Sequence, residues 1–124
     1  MTERRLLVVD DEPDFADVVR KVAERQGFVV EVLTDSRDFE EVYTRFAPST
    51  IMLDIIMPDV DGIEIVQWLA RHGNTAKVIV ATGYNPDFAR AARGLAQARG
   101  QFAVTTLNKP VSMADLRAAL DGDD

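Results

Sequence analysis

Apolar residues in this chain fall into two alternating spacings. Arg5–Val9, Ile51–Leu53, Val78–Ala81 and Val104–Leu107 are short runs dominated by Val, Ile and Leu, the length and composition of buried strands, and Val29–Leu33 forms a further strand. Between them the apolar positions recur at helical spacing. Phe15, Val18, Val19 and Val22 follow Asp-Glu-Pro, where an acid can cap and Pro13 fits the first turn, and Gly27 ends that helix. Phe39, Val42, Tyr43 and Phe46 form the next stripe, opened by Asp35 or Ser36 and closed by Pro48, which keeps Ala47 out of helical conformation. Gly62 to Arg71 predicts a third helix carrying Ile63, Ile65, Val66, Trp68 and Leu69, with His72-Gly73-Asn74 as its terminator. Asp87–Ala98, with Phe88, Ala91, Ala92, Leu95 and Ala96, and then Ser112–Leu120 complete the series, and the end of the chain reads as frayed. Strand alternating with helix five times is the signature of an α/β domain whose parallel sheet is covered on both faces.

The polar residues at the strand ends change this from a fold into a site. Asp10 with Asp11, then Asp54, Thr82 and Lys109, each stand at or within two residues of the carboxyl end of an apolar run. In open α/β sheets ligands bind outside that edge, so three acids, a hydroxyl and a lysine gathered there describe a pocket for a metal and a phosphoryl group.

Size and charge remove other classes. At 124 residues the chain is expected to be one domain, 1–124, since no repeat, low-complexity tract or linker divides it. A net charge of -7 and the lack of a basic cluster beyond Arg4–Arg5 argue against direct nucleic-acid binding and against an anionic membrane surface. Zero cysteines exclude disulfides and thiolate metal sites, and Leu6–Val9 is too short for a signal peptide or membrane span, so a cytoplasmic protein is expected.

Each candidate has a mundane reading beside its chemical one. Adjacent Asp10 and Asp11 repel each other unless a cation joins them, and hard oxygens suit Mg²⁺; helix capping accounts for one acid but not both. Asp54 ends a run with no other polar group, where a carboxylate can act as a nucleophile toward phosphorus or serve merely as a turn acid. Thr82 can donate to a phosphoryl oxygen and Lys109 can pair with another, although Thr-Gly and Lys-Pro are also ordinary turn dipeptides. His72 has no partner in view and reads as solvated, and Trp68 as core or part-exposed surface.

The motifs Val9-Asp10-Asp11-Glu12-Pro13 and Leu53-Asp54-Ile55-Ile56-Met57-Pro58-Asp59-Val60-Asp61-Gly62, followed by Thr82 and Lys109-Pro110, resemble in order and content the receiver domain of two-component response regulators. The resemblance covers essentially the whole chain. It implies a flavodoxin-like (βα)5 fold with a five-stranded parallel sheet in the order 2-1-3-4-5. It further implies that Asp54 is the phosphoacceptor, that Asp11, Asp54 and the backbone carbonyl of Ile56 surround Mg²⁺, or Mn²⁺ in its place, with Asp10 close by, and that Thr82 and Lys109 contact the phosphoryl group. The implied donor is a sensor histidine kinase or a histidine phosphotransfer protein. The output is a protein partner on the face formed by the Asp87–Ala98 helix, the Val104–Leu107 strand and the Ser112–Leu120 helix, or a second copy of the chain on that face. Self-phosphorylation and self-dephosphorylation on Asp54 are the only chemistry expected.

The chain also departs from the receiver pattern. Thr106 stands where receivers commonly carry an aromatic residue that follows the threonine, so readout through the Thr82–Asn85 loop and the Asp87–Ala98 helix is expected instead. Ile56 and Tyr84, bulky and without a group to orient water, predict slow loss of the phosphoryl group. Among alternatives, a metal-dependent phosphatase needs a second acid where Ile56 stands, a nucleotide or flavin binder needs a Gly-rich first turn, and an inert receiver-like module is expected to lack one of the five site residues.

Overall fold

The computed structural model describes residues 3–54, 62–82, 94 and 102–121. Five strands, β1 (Arg5–Val9), β2 (Val29–Leu33), β3 (Thr50–Asp54), β4 (Lys77–Thr82) and β5 (Val104–Asn108), form one sheet in the order β2-β1-β3-β4-β5, with every pairing parallel. Four helices are described: α1 (Pro13–Arg25), α2 (Phe39–Phe46), α3 (Gly62–Arg71) and α4 (Met113–Asp121). The helix expected over Asp87–Ala98 lies outside the described residues apart from the helical Gly94.

Strand periodicity divides the core into two layers. Because successive side chains on a strand point to opposite faces, Leu7, Val9, Ile51, Leu53, Val78 and Val80 meet α2 and α3 through Phe39, Val42, Phe46, Val66 and Leu69. The intervening residues Leu6, Val8, Met52, Ile79 and Ala81 face the other way, onto Val19 and Ala23 of α1 and Leu116 and Leu120 of α4. The strand residues in both layers are fully buried, which explains why β1, β3 and β4 read as continuous apolar runs rather than as alternating ones. By contrast β5, expected to be buried, is half-exposed along Val104–Leu107. It is an edge strand and pairs with β4 alone, a property of position in the sheet that composition does not encode.

The helix ends follow local chemistry. Pro13 opens α1, where its missing N–H costs nothing, and Gly27 leaves the helix at φ 91°. The first stripe after β2 begins with a single 3-10 turn, Ser36–Asp38, and α2 starts only at Phe39. Ala47 ends α2 in the left-handed region at φ 53°, ψ 64°, out of helical conformation as Pro48 demands. Gly73, at φ 69°, terminates α3, and the Asn74 N–H donates back to the Leu69 carbonyl.

Two residues at that terminator do more than end a helix. The Asn74 side chain is buried, donating to the Ala76 carbonyl at 2.9 Å and accepting from the Ala76 N–H at 3.0 Å and from the Tyr43 hydroxyl at 2.8 Å. His72, expected to lack a partner, is exposed but engaged: its Nδ1 is 2.8 Å from the Trp68 carbonyl and its ring stacks on the Trp68 ring with centroids 4.2 Å apart. Four residues separate the two rings, one helical turn, so the terminator brings them face to face.

Candidate functional site at the carboxyl edge of the sheet

Register places the first two acids side by side. Val9 pairs with Leu53 across β1 and β3, so the next residue on each strand, Asp10 and Asp54, emerges at the same edge. Both are buried, Asp10 to 1% and Asp54 to 7% exposure, and neither backbone can move far, because the strands beneath them are packed on both faces. On the far side Thr82 pairs with Asn108, which puts Lys109 one residue beyond the end of β5 at the same edge.

Lys109 reaches back across the sheet. Its Nζ lies 2.6 Å from Glu12 Oε1, 3.1 Å from Asp10 Oδ2 and 3.4 Å from Asp54 Oδ2, and it rests 4.5 Å from the centroid of the Phe15 ring. The other oxygen of Asp10 accepts the Glu12 N–H at 2.9 Å, a side-chain turn that leads the chain into α1. Glu12 occupies the N-cap position of α1 without capping it, since its carboxylate is turned to the lysine.

The electrostatics follow from burial and proximity. Burial pushes the Asp10 carboxyl above its ordinary value, with the Asp54 charge adding to that, while the Glu12 N–H and the Lys109 ammonium pull the other way. For Lys109, burial opposes the charge, but Glu12, Asp10 and Asp54 together more than offset it and hold the pKa above that of an ordinary lysine. The ammonium is therefore charged throughout the neutral range.

Not every expected residue converges. Carboxylate oxygens of Asp10, Glu12 and Asp54 lie within 4.8 Å of one another, whereas Asp11 is exposed and is not part of that group. Asp11 lies instead beside Glu12 and Lys109 on the wall of an open cleft of about 640 Å³ that runs between α1 and the Lys109–Met113 turn. The backbone of Thr82 ends β4 at this edge, while Ile56, Tyr84 and Asn85 lie outside the described residues. Glu12 and Phe15 are the site residues that sequence reasoning missed. Glu12 stood in the quoted motif beside two aspartates, but a helix start accounted for it, and Phe15 was absorbed into the apolar stripe of α1.

The donor set fits a hard divalent cation. Two buried carboxylates and an exposed one offer oxygens only, and the exposed one, Glu12, lines an open cleft, which suits Mg²⁺, an ion that takes few protein ligands and keeps several waters. Among the described residues no helix is long and apolar enough to cross a membrane.

A parallel 2-1-3-4-5 sheet with acids and a lysine converging at its carboxyl edge, where open α/β sheets bind ligands, defines a doubly wound domain. The chain belongs to the response regulator receiver domain family, whose model matches residues 6–121. It is similar to the transcriptional regulatory protein TrcR of Mycobacterium tuberculosis, 30% identical over 118 residues that make up 95% of this chain and 44% of that protein. It is also similar to the response regulator MprA of Mycolicibacterium vanbaalenii, at 28% identity over 94% of this chain and 48% of that protein. The chain thus spans less than half the length of either regulator. Among solved structures, the signal receiver domain of a response regulator from Bermanella marisrubri matches with a TM-score of 0.82 at 25% identity, covering 97% of each chain. A response regulator from Colwellia psychrerythraea matches with a TM-score of 0.75 at 28% identity, covering 97% of this chain and 95% of that one.

Proposed function

We propose that this receiver domain accepts a phosphoryl group on Asp54 from a phosphohistidine of a sensor kinase or phosphotransfer protein, and thereby changes its affinity for another protein. The observation that carries the reading is the position of Asp54: a buried carboxylate at the end of a rigid strand, beside Asp10 and 3.4 Å from a charged lysine. In the transfer an Asp54 oxygen attacks phosphorus, the P–N bond to the donor imidazole breaks, and its electron pair returns to that nitrogen, which takes a proton from solvent. Phosphoryl transfer asks mainly for position and charge stabilisation, and Lys109 and the Thr82 hydroxyl are the groups assigned to the phosphoryl oxygens. Mg²⁺ would be held by Asp54 and Asp10, with Asp11 and the Ile56 carbonyl joining them as the resemblance implies, and would supply the balancing positive charge. On this reading the chain is a phosphoacceptor with self-directed chemistry only, a single receiver module over 1–124 that works in the cytoplasm.

The donor is assigned to the cleft between α1 and α4. Two of the exposed large apolar side chains, Val18 and Met113, sit there beside Phe15 and Leu116, next to the acids. The output surface is assigned to β5 and α4 together with the Asp87–Ala98 segment. Intact-mass spectrometry after incubation with Mg²⁺ and acetyl phosphate tests the central claim. A gain of one phosphoryl mass is expected for the wild type with Mg²⁺, and none for Asp54→Asn or without the metal. Absence of any gain, together with failure to bind beryllofluoride, would replace this reading with that of an inert interaction module.

A further inference from the structure

We propose that Glu12 is a positioning residue that sets where Lys109 rests, and so how readily the site admits a phosphoryl-type anion. The inference builds on the reading of Asp54 as phosphoacceptor. A lysine ammonium has three N–H donors, and here it faces three carboxylates, from Asp10, Glu12 and Asp54. An arriving anion must therefore take a donor that a carboxylate already holds. Asp10 and Asp54 are fixed to packed strands, with side-chain exposures of 1% and 9%, whereas the Glu12 side chain is 61% exposed at the start of α1. Glu12 is thus the partner able to withdraw.

The distances give the direction of its pull. Glu12 makes the shortest contact, 2.6 Å, and Asp54 the longest, 3.4 Å. The ammonium is drawn toward α1 and away from the carboxylate that would carry the phosphoryl group. Loss of Glu12 relaxes Lys109 toward Asp54 and removes one negative charge from the mouth of the site. Both effects favour an anion bound at Asp54, so Glu12 acts as a brake on occupancy of the site.

The test uses beryllofluoride as the phosphoryl mimic at saturating Mg²⁺, with binding followed by calorimetry, on wild type, Glu12→Gln and Glu12→Asp. An exposed ion pair of this kind corresponds to roughly a three- to five-fold change, so Glu12→Gln is expected to bind the mimic about three- to five-fold more tightly. Glu12→Asp keeps the charge but is one methylene shorter and loses its reach to Nζ. It is expected to bind the mimic more tightly than the wild type by the part of the gain that comes from freeing Nζ, whereas a role confined to charge would leave it like the wild type. A second readout needs neither metal nor mimic: the Lys109 ammonium resonance in ¹⁵N-lysine spectra is expected to shift in both variants. Unchanged affinity in Glu12→Gln, wild-type behaviour of Glu12→Asp, or an unmoved lysine resonance would each overturn the proposal. Failure of the wild type to bind the mimic with Mg²⁺ would defeat the phosphoacceptor reading itself, and this proposal with it.

Discussion

Replacing Lys109 by Met removes the ammonium while keeping a stem of similar length over the Phe15 ring, and it leaves three carboxylates facing one another. Stripping one partner from a buried ion pair costs about 3–5 kcal/mol, because the remaining charge stays buried without compensation. Asp10 and Asp54 meet that description at 1% and 9% side-chain exposure, while Glu12 at 61% regains water on losing its partner and adds little. The cleft opens the site on one side, so the lower end applies, about 3 kcal/mol. For a chain of 124 residues this corresponds to a fall in Tm of about 10 °C, or about 1.5 M in the urea midpoint.

The same argument fixes two dependences. Burial raises the Asp10 pKa, so the folded protein binds that proton more tightly than the unfolded chain and gains stability as pH falls through the raised value. Without Lys109 the rise is larger, and the difference between variant and wild type narrows on acidification. For Lys109 itself the folded value is raised, so its contribution is fully present below the ordinary 10.5 and is lost as pH climbs through the higher folded value. Added Mg²⁺ stabilises the variant more than the wild type, since in the variant it meets no competing ammonium. Urea unfolding of the metal-free proteins from pH 4 to 10, repeated with Mg²⁺, measures the acid-side narrowing and the metal effect, and the Lys109 contribution is expected to hold undiminished up to the alkaline end of that range. A loss below about 1 kcal/mol, the value of an ordinary surface pair, or equal stabilisation of both proteins by Mg²⁺, would refute the picture of a buried acid cluster compensated by one lysine.

Other consequences are separable. Asn74→Ala strands the part-buried Tyr43 hydroxyl and the buried Ala76 N–H and is expected to cost about 2 kcal/mol in chemical unfolding, a large penalty for a residue in a helix terminator. Ala47→Gly relieves a left-handed conformation at φ 53° and is expected to raise stability by about 0.5–1 kcal/mol. Val18→Asp, on the wall of the donor cleft, is expected to slow transfer from a phosphohistidine protein about ten-fold or more while leaving the acetyl phosphate reaction unchanged; equal slowing of both would place the donor elsewhere. Bulky Ile56 and Tyr84 predict an aspartyl phosphate that survives for many minutes, and decay within seconds, followed by mass spectrometry, would contradict that.

Much of this was legible before any coordinates, for physical reasons that differ between elements. Strands β1, β3 and β4 are buried on both faces and so announce themselves as unbroken apolar runs, and their polar ends marked Asp10, Asp54 and Thr82. Helix α3 was readable to the residue because Gly62 and Gly73 bracket a strongly amphipathic stretch. What escaped depended on contacts distant in sequence or on direction. That β5 is half-exposed follows from its edge position, which no run of residues specifies. Glu12 looked like helix-start chemistry, and only the arrival of Lys109, 97 residues further on, turns it into a member of the charged cluster. His72 looked solvated because its stacking on Trp68 depends on how the last turn of α3 closes.

Charge balance explains why this edge should favour a divalent cation. Asp10 and Asp54 are set beside each other by the register of β1 and β3, and their strands are too well packed to let them part. Their repulsion has to be met by positive charge rather than by movement. Lys109 supplies one unit against the three of Asp10, Glu12 and Asp54, leaving two negative charges in the cluster, while exposed Asp11 is screened by water. A monovalent ion leaves a residual charge and a divalent one closes the balance. A phosphoryl anion approaching before a divalent ion meets net repulsion, and one approaching after it meets a neutral site with an ammonium at hand. The acids, which at first sight make this edge hostile to phosphate, therefore impose an order of binding in which the cation comes first. Beryllofluoride binding that required no divalent ion would break that reasoning at its root.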